Sequence, residues 1–545
     1  MSNLYNVYTS TTNVYDIDRF DKMHLYSISG SAFAAFPSYA GEGPPDCRFS
    51  LYADCEKPPT SERTGSHMPQ DNILLITTDQ QRFDTINAWG NQSIFTPHLN
   101  YMAAMGISYK NCYASCPICV PSRTTIMTGR QGYESGVISN ATHETFMRSC
   151  TAERSTLPAV LTDAGYQTCA KGKMHFEPAR ANYGFEHMKL PLDYMREYDK
   201  KQPQARPKVH GIGECEMEPV ISTVDVKDSI TTWIADEAID FIETRDNTRP
   251  FFLWTSFTKP HPPFDPCRDF WELYDNMPMP APVTGDWSKT VEETPQGFLA
   301  GAYENTNMHL LGPEQKLASR RAYYACITQV DYALGRIFGA LRENDLFQNT
   351  WIIFTSDHGE MLGDHHMSQK NLFFEGSAHV PLFIMPPQGR EIPHNISVEA
   401  PTDLADLYPT ILSMAGLKSP VPVSGKNLLE PLSDDRLFFG NSLNKNFCVM
   451  EKKVKLVYSA VGDHTLLFDL NKDPMEQHDV SGDPAYARTR ERLWQLLLEH
   501  TKQYTPEALN ENGGFLTYEA PRCPGDMPGR WFGFHYHDYT VDTFH

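Results

Sequence analysis

One stretch of the chain concentrates reactive side chains at short spacing: Cys116-Pro-Ile-Cys119-Val-Pro-Ser-Arg123-Thr-Thr-Ile-Met-Thr-Gly-Arg130. Cys116 and Cys119 have the spacing of a redox dithiol, and Cys112, Cys116 and Cys119 together offer three thiolates to a zinc ion. A redox motif needs a small thioredoxin-like unit around it, and none is evident. A structural zinc site needs a fourth ligand, usually from a second close pair, and no pair matches. Pro121 suits the first turn of a helix, where its missing N–H costs nothing. Cys119 is thus expected near a helix N-terminus, whose free N–H groups and dipole favour an anion. Three further places carry polar, ligand-type residues just after apolar runs: Asp79, His261, and Asp357 with His358. Each alone reads as a turn residue; the three together predict a shared site.

The elements that must hold these residues begin at residue 71. Apolar runs of strand length alternate with helical patterns from there on, which predicts a mainly parallel sheet covered by helices, an α/β fold. Strands are expected at 72–77, 251–257, 351–355 and 380–385, the last three apolar enough to be buried on both faces. Helices are expected at 156–164, about 222–244, Pro313–Glu343 and 402–414. In open parallel sheets ligands bind beyond the carboxyl ends of the strands, where Asp79, His261 and Asp357 fall. From about residue 436, four short strands with tight turns predict a small antiparallel sheet, closed by a helix at 484–504.

Residues 119–130 resemble the signature of the type I, formylglycine-dependent sulfatases of the alkaline phosphatase superfamily. Other segments follow in that family's order. Asp79-Gln80-Gln81-Arg82-Phe83-Asp84 resembles its first metal-binding segment. Many sulfatases carry two adjacent Asp there; Asp-Gln occurs in a branch that includes phosphonate monoester hydrolases. Thr96-Pro97-His98-Leu99 and 106–111 match the lead-in to the nucleophile. Gly172-Lys173-Met174-His175 resembles Gly-Lys-Trp-His, and Pro260-His261-Pro262-Pro263 resembles Pro-His-x-Pro. Residues 356–365 match the second metal segment, Lys370 falls at the sulfate-bridging lysine, and Glu375 with Val380-Pro381-Leu382 matches the next strand. His379 stands where a basic residue is frequent. Leu467-Phe468-Asp469-Leu470 and Asp473-Pro474-Met475-Glu476 resemble the small C-terminal sheet, so the likeness spans about 71–500.

The resemblance implies an alkaline-phosphatase-like fold and a sulfuric ester hydrolase in which Cys119 is converted to formylglycine by a formylglycine-generating enzyme. One oxygen of the hydrated aldehyde attacks sulfur, and the second hydroxyl later expels sulfate. It implies a divalent cation held by Asp79, Gln80, Cys119, Asp357 and His358. Oxygen-rich ligands favour Ca²⁺ or Mg²⁺, and His358, where many relatives have Asn, admits Mn²⁺. Arg123 and His175 would hold the diol, while Lys173, His261 and Lys370 would bind the sulfate oxygens and supply the proton for the leaving group. Hydrolysis of phosphonate or phosphate esters at the same site is the alternative activity, and a catalytically inactive binding protein is the alternative of another class.

Composition bounds the partners. The chain has 545 residues, 40% of them hydrophobic, and a formal charge of −21. No basic field is left for nucleic acid or an anionic membrane surface, so an anionic substrate must be held by a local cluster of cations. No apolar run reaches the ~18 residues needed to span a bilayer. Twelve cysteines without framework spacing and no basic-then-apolar leader predict a cytoplasmic, reduced setting. Gly65-Ser66-His67-Met68 resembles the scar of a cleaved tag, a sign that a native leader could have been removed. Residues 1–68 are expected to be an extension, 69–435 the catalytic domain, 436–504 a small α+β subdomain, and 505–545 a His- and aromatic-rich tail suited to clasp a second copy.

Overall fold

The computed structural model describes residues 70–141, 143–201, 217–303, 311–390 and 392–520. The extension at 1–68, the tail beyond residue 520 and the stretches 202–216 and 304–310 lie outside the described residues.

The apolar runs form the middle of an eight-stranded sheet. Its order is Ile396–Val398, Ile107–Tyr109, Leu382–Met385, Thr350–Ser356, Asn72–Asp79, Phe251–Pro260, Gln167–Gly172 and His187–Lys189. Every residue of the three central strands is buried. Alternate side chains enter different cores: Ile73 and Leu75 join one cluster with Ile126, Leu157 and Tyr408, whereas Leu74 and Ile76 join the other with Leu99, Ile234 and Leu334. Helices Cys119–Thr128, Leu157–Asp163 and Leu407–Met414 therefore cover one face, and Pro97–Met105, Ile230–Thr244 and Pro313–Glu343 the other. This two-sided burial explains why the strands read as nearly continuous apolar runs.

Parallel pairing aligns the strand ends. Thr78 lies opposite Ser356, Asp79 opposite Pro260, and Gly172 opposite Ser256. Asp79, Asp357, His261 and Lys173 consequently emerge at one edge of the sheet. Gly172 makes this possible at its strand. Its φ of +97° and the Ser256 carbonyl oxygen, 2.0 Å from where a Cβ would stand, exclude any side chain.

Three expectations are corrected. Residues 380–385 are not one strand: His379–Val380 joins a small sheet with Cys112–Tyr113 and Thr402–Asp403, and Leu382–Met385 joins the large one, antiparallel to both neighbours. Pro381, with no N–H to give a ladder, separates them, and buried apolar residues carry no record of strand direction. The 402–414 helix begins only at Leu407, because Thr402–Asp403 is taken by the small sheet and Leu404–Asp406 forms a 3₁₀ turn. The 222–244 helix begins at Ile230, where Ser229 caps it by accepting from Thr232 N–H. The polar strand Gln167–Gly172 was not anticipated, since pairing with Phe251–Pro260 rather than hydrophobicity makes it a strand.

Strands Phe438–Ser442, Asn446–Glu451, Val454–Ser459 and His464–Asp469 form the expected antiparallel meander. Leu493 and Leu497 of helix Ala487–Tyr504 pack on it with Phe447, Val449 and Leu456. The first part of the tail packs there too, with the Phe515 ring 4.6 Å from Phe447. The meander also reaches toward the site. Lys455 Nζ lies 2.6 Å from both Glu375 and Glu476, all three buried. Burial alone would raise the Glu375 carboxyl, but Lys455 and His379 bring it down to about 2. Burial pushes Glu476 up to about 7. Lys455→Met should leave the buried Glu476 without a cationic partner and Glu375 with His379 alone, and lower stability by about 3–5 kcal/mol, read by chemical denaturation.

Among the described residues, no helix is long and apolar enough to cross a membrane.

Candidate active site

Cys119 is the first residue of helix Cys119–Thr128, which enters from extended Ile118 and has Pro121 in its first turn. The whole helix is buried, and at its start the Val120 N–H donates to Asn140 Oδ1 at 3.2 Å. Cys119 Sγ lies 3.2 Å from His358 Nε2, 3.2 Å from Lys370 Nζ and 3.9 Å from Asp79 Oδ1. Burial and Asp79 push the thiol up, but Lys370, Lys173 and His358 outweigh them and bring it down to about 6. The other cysteines of that stretch show no such activation. Burial pushes Cys112 and Cys116 above the usual thiol range, and among the described residues neither belongs to the cluster of metal-type ligands that contains Cys119.

One turn along, Arg123 ties the carboxylates together. Its Nε donates to Asp357 Oδ2 at 2.9 Å, Nη2 lies 3.1 Å from Asp79 Oδ2, and Nη1 donates to Ser256 Oγ at 2.8 Å and to the Lys173 carbonyl. Lys173 Nζ lies 2.8 Å from Asp79 Oδ2. Burial would raise Asp79, but Lys173, His261, Arg123 and Lys370 hold it well below the usual carboxylate range. Asp357 goes the other way, raised by burial and by the neighbouring Asp79 charge. His358 is lowered by burial and raised by Asp357, with a net rise.

The donor set fits a metal ion. Ligand atoms of Asp79, Cys119, Asp357 and His358 all lie within 4.8 Å of one another, and all four residues are buried. His358 Nδ1 sits 2.9 Å from the Gly359 carbonyl, to which it donates, so Nε2 is the nitrogen that faces the cluster. A dication there would relieve the carboxylate repulsion that raises Asp357. Gln80 follows Asp79 on a strained backbone, with φ of +71°. Its N–H donates to Asp357 Oδ1 at 3.0 Å, and its Oε1 accepts from Lys370 Nζ at 2.8 Å.

Lys370 also lies 3.2 Å from His261 Nε2, while His261 Nδ1 donates to the Pro262 carbonyl at 2.8 Å. His175 lies buried two residues beyond Lys173, in left-handed conformation at φ +59°. The structure thus brings Asp79, Gln80, Cys119, Arg123, Lys173, His261, Asp357, His358 and Lys370 into one connected group. His379 is engaged elsewhere. Its ring nitrogens contact Glu375 at 2.6 Å and the Lys110 carbonyl at 2.7 Å, and the ring stacks on Phe83, so it braces the fold.

Sequence reasoning passed over four residues that organise this group. Arg82 is buried, pairs with Asp84 and Asp364 at 2.7 and 2.8 Å, and donates to the carbonyls of Glu360 and Met361. Tyr323 OH bridges the Gln80 carbonyl and the Arg82 N–H. Ser256 receives Arg123, and Glu360 receives Gln80. Arg82 and Glu360 stood inside recognised segments, which was the available signal; Tyr323 and Ser256 had none.

Comparison with known proteins agrees with this geometry. A family model described as Sulfatase matches residues 71–417, and one described as N-sulphoglucosamine sulphohydrolase, C-terminal, matches 363–503. The chain is 30% identical over 472 residues to an arylsulfatase of Clostridium perfringens, covering 78% of this chain and 94% of that enzyme. It is 30% identical to a choline-sulfatase of Rhizobium meliloti, covering 76% and 83%. The solved phosphonate monoester hydrolase of Agrobacterium radiobacter superposes with a TM-score of 0.66 at 26% identity, covering 82% of this chain and 99% of that one.

Proposed function

Because the chain belongs to the sulfatase family and is a sulfuric ester hydrolase, we propose that it cleaves sulfate monoesters of a phenol, a sugar or a small alcohol at the Cys119 cluster. The observation that carries this reading is the setting of Cys119, a buried helix-start thiol within 3.2 Å of both Lys370 and His358. The family implies a metal ion and a formylglycine. Asp79, Gln80, Asp357, His358 and matured Cys119 would hold the cation, with Ca²⁺ as our assignment from the oxygen-rich donors, ahead of Mg²⁺ and Mn²⁺. The cation supplies Lewis-acid neutralisation, and the aldehyde hydrate supplies the attacking oxygen.

The chain's own residues do the rest. Lys173 and Lys370, both buried, line the reacting centre with fixed positive charge, aimed where the sulfuryl oxygens gain charge. Arg123 holds Asp79 and Asp357 in place and keeps the start of the Cys119 helix against them. His261 presents Nε2 to Lys370 Nζ, because its Nδ1 proton is committed to Pro262. This pair delivers a proton to the departing ester oxygen.

A second reading has support from the Gln80 and His358 ligand choices and from the likeness to the phosphonate monoester hydrolase. Both readings are tested by kcat/KM for an aryl sulfate beside an aryl phosphonate monoester. The sulfate should be preferred by about tenfold or more, equivalent to at least 1.36 kcal/mol of transition-state discrimination. A preference for the phosphonate would overturn the assignment.

A further inference from the structure

Glu360 touches none of the reacting groups, yet it is buried and faces Gln80. One of its oxygens accepts from the Leu362 N–H at 2.9 Å and the Gln369 N–H at 2.6 Å. The other accepts from Gln80 Nε2. At the far end of the same amide, Gln80 Oε1 accepts from Lys370 Nζ at 2.8 Å. The two ends of a glutamine amide have nearly the same shape, so only their partners decide which way it faces. An ammonium has donors alone, and a carboxylate ringed by N–H groups has acceptors alone. Glu360 and Lys370 thus select the same orientation from opposite sides. Both sit on the segment that follows Asp357 and His358, and the two N–H bonds to Glu360 close the stretch 360–369 that leads to Lys370.

We propose that Glu360 is a positioning residue: it sets the polarity of the Gln80 amide, so that Oε1 and not the NH₂ group faces Lys370 and the cation site, and it holds the segment that delivers Lys370. The inference rests on the reading of this site given above. A glutamine at position 360 must turn its carbonyl to the two backbone N–H groups, which presents its NH₂ to Gln80. The Gln80 amide then has to flip and direct an NH₂ group at an ammonium. A glutamate at position 80 facing Glu360 places two carboxylates against each other. The two substitutions together restore one acceptor and one donor, with polarity reversed, and leave an oxygen for Lys370.

The test is a double-mutant cycle on the full chain, comparing wild type, Glu360→Gln, Gln80→Glu and the double variant. Ca²⁺ alone is titrated into chelator-stripped protein by calorimetry, and kcat and KM are measured with an aryl sulfate. Partners behind metal ligands are worth about 10–100-fold in affinity or activity, so each single variant should lose that much. The double variant should recover at least about tenfold of it in both readouts. If Glu360→Gln fails to fold, Gln80→Glu against the double variant reads the same polarity. Wild-type behaviour of Glu360→Gln, or a double variant no better than the singles, would overturn the proposal. Because Ca²⁺ titration needs no substrate, absence of aryl sulfate hydrolysis by wild type would sink the sulfate reading while the cycle still judged Glu360.

Discussion

Cys119→Ala should abolish sulfate ester hydrolysis while leaving the protein folded. Loss of a covalent nucleophile costs on the order of 10⁴–10⁶-fold in kcat, and no neighbour can replace this one: the surrounding groups are Lys370, Lys173, His358 and Asp79, all serving as charges or ligands. Folding should survive because the substitution removes one sulfur atom from a helix start that Arg123 and Pro121 still define. The experiment compares kcat on an aryl sulfate with the thermal melting point, and mass spectrometry of wild type reports whether Cys119 has become the aldehyde. Near-full activity of the alanine variant would remove Cys119 from the chemistry altogether.

Asp79→Ala should be nearly as damaging, for a different reason. Asp79 is where the cluster's opposite charges meet: Lys173 lies 2.8 Å away, Arg123 3.1 Å, and Cys119 and His358 3.9 Å. Its removal takes an anionic ligand from the proposed cation site and leaves two buried cations to share Asp357. Charge stabilisation of this kind is worth several kcal/mol, so kcat/KM should fall by about 10³-fold or more. Ca²⁺ affinity, measured by calorimetry, should fall in parallel. A variant that keeps wild-type Ca²⁺ binding would show that the cation, if held at all, is held elsewhere.

The two variants differ in a way that separates chemistry from assembly. Cys119→Ala should lose less Ca²⁺ affinity than Asp79→Ala, because it leaves both carboxylates in place, whereas Asp79→Ala removes one of them.

Much of this site was legible in the sequence because its residues sit at short, fixed offsets from strong local signals. Asp79, His261 and Asp357 each follow an apolar run long enough to be a buried strand, and Pro121 marks the helix that Cys119 opens. Burial of a strand on both faces demands such runs, so the composition of 72–77, 251–257 and 351–355 determined a central sheet and the edge at which function would gather. The four-stranded C-terminal meander was equally plain, since its turns are tight and its strands alternate.

Tertiary structure decided what local pattern cannot encode. Strand direction is one example: Leu382–Met385 runs antiparallel although its residues are as apolar as those of its neighbours. The polar strand Gln167–Gly172 is another, being a strand only because Phe251–Pro260 lies beside it. His379 matched a position where a basic residue is frequent, but packing turned both its nitrogens to Glu375 and Lys110. Above all, Glu360 and Gln80 are 280 positions apart, and only the folded chain shows that one sets how the other faces. Hydrogen-bond polarity between distant side chains depends on three-dimensional partners, and those are absent from any run of consecutive residues.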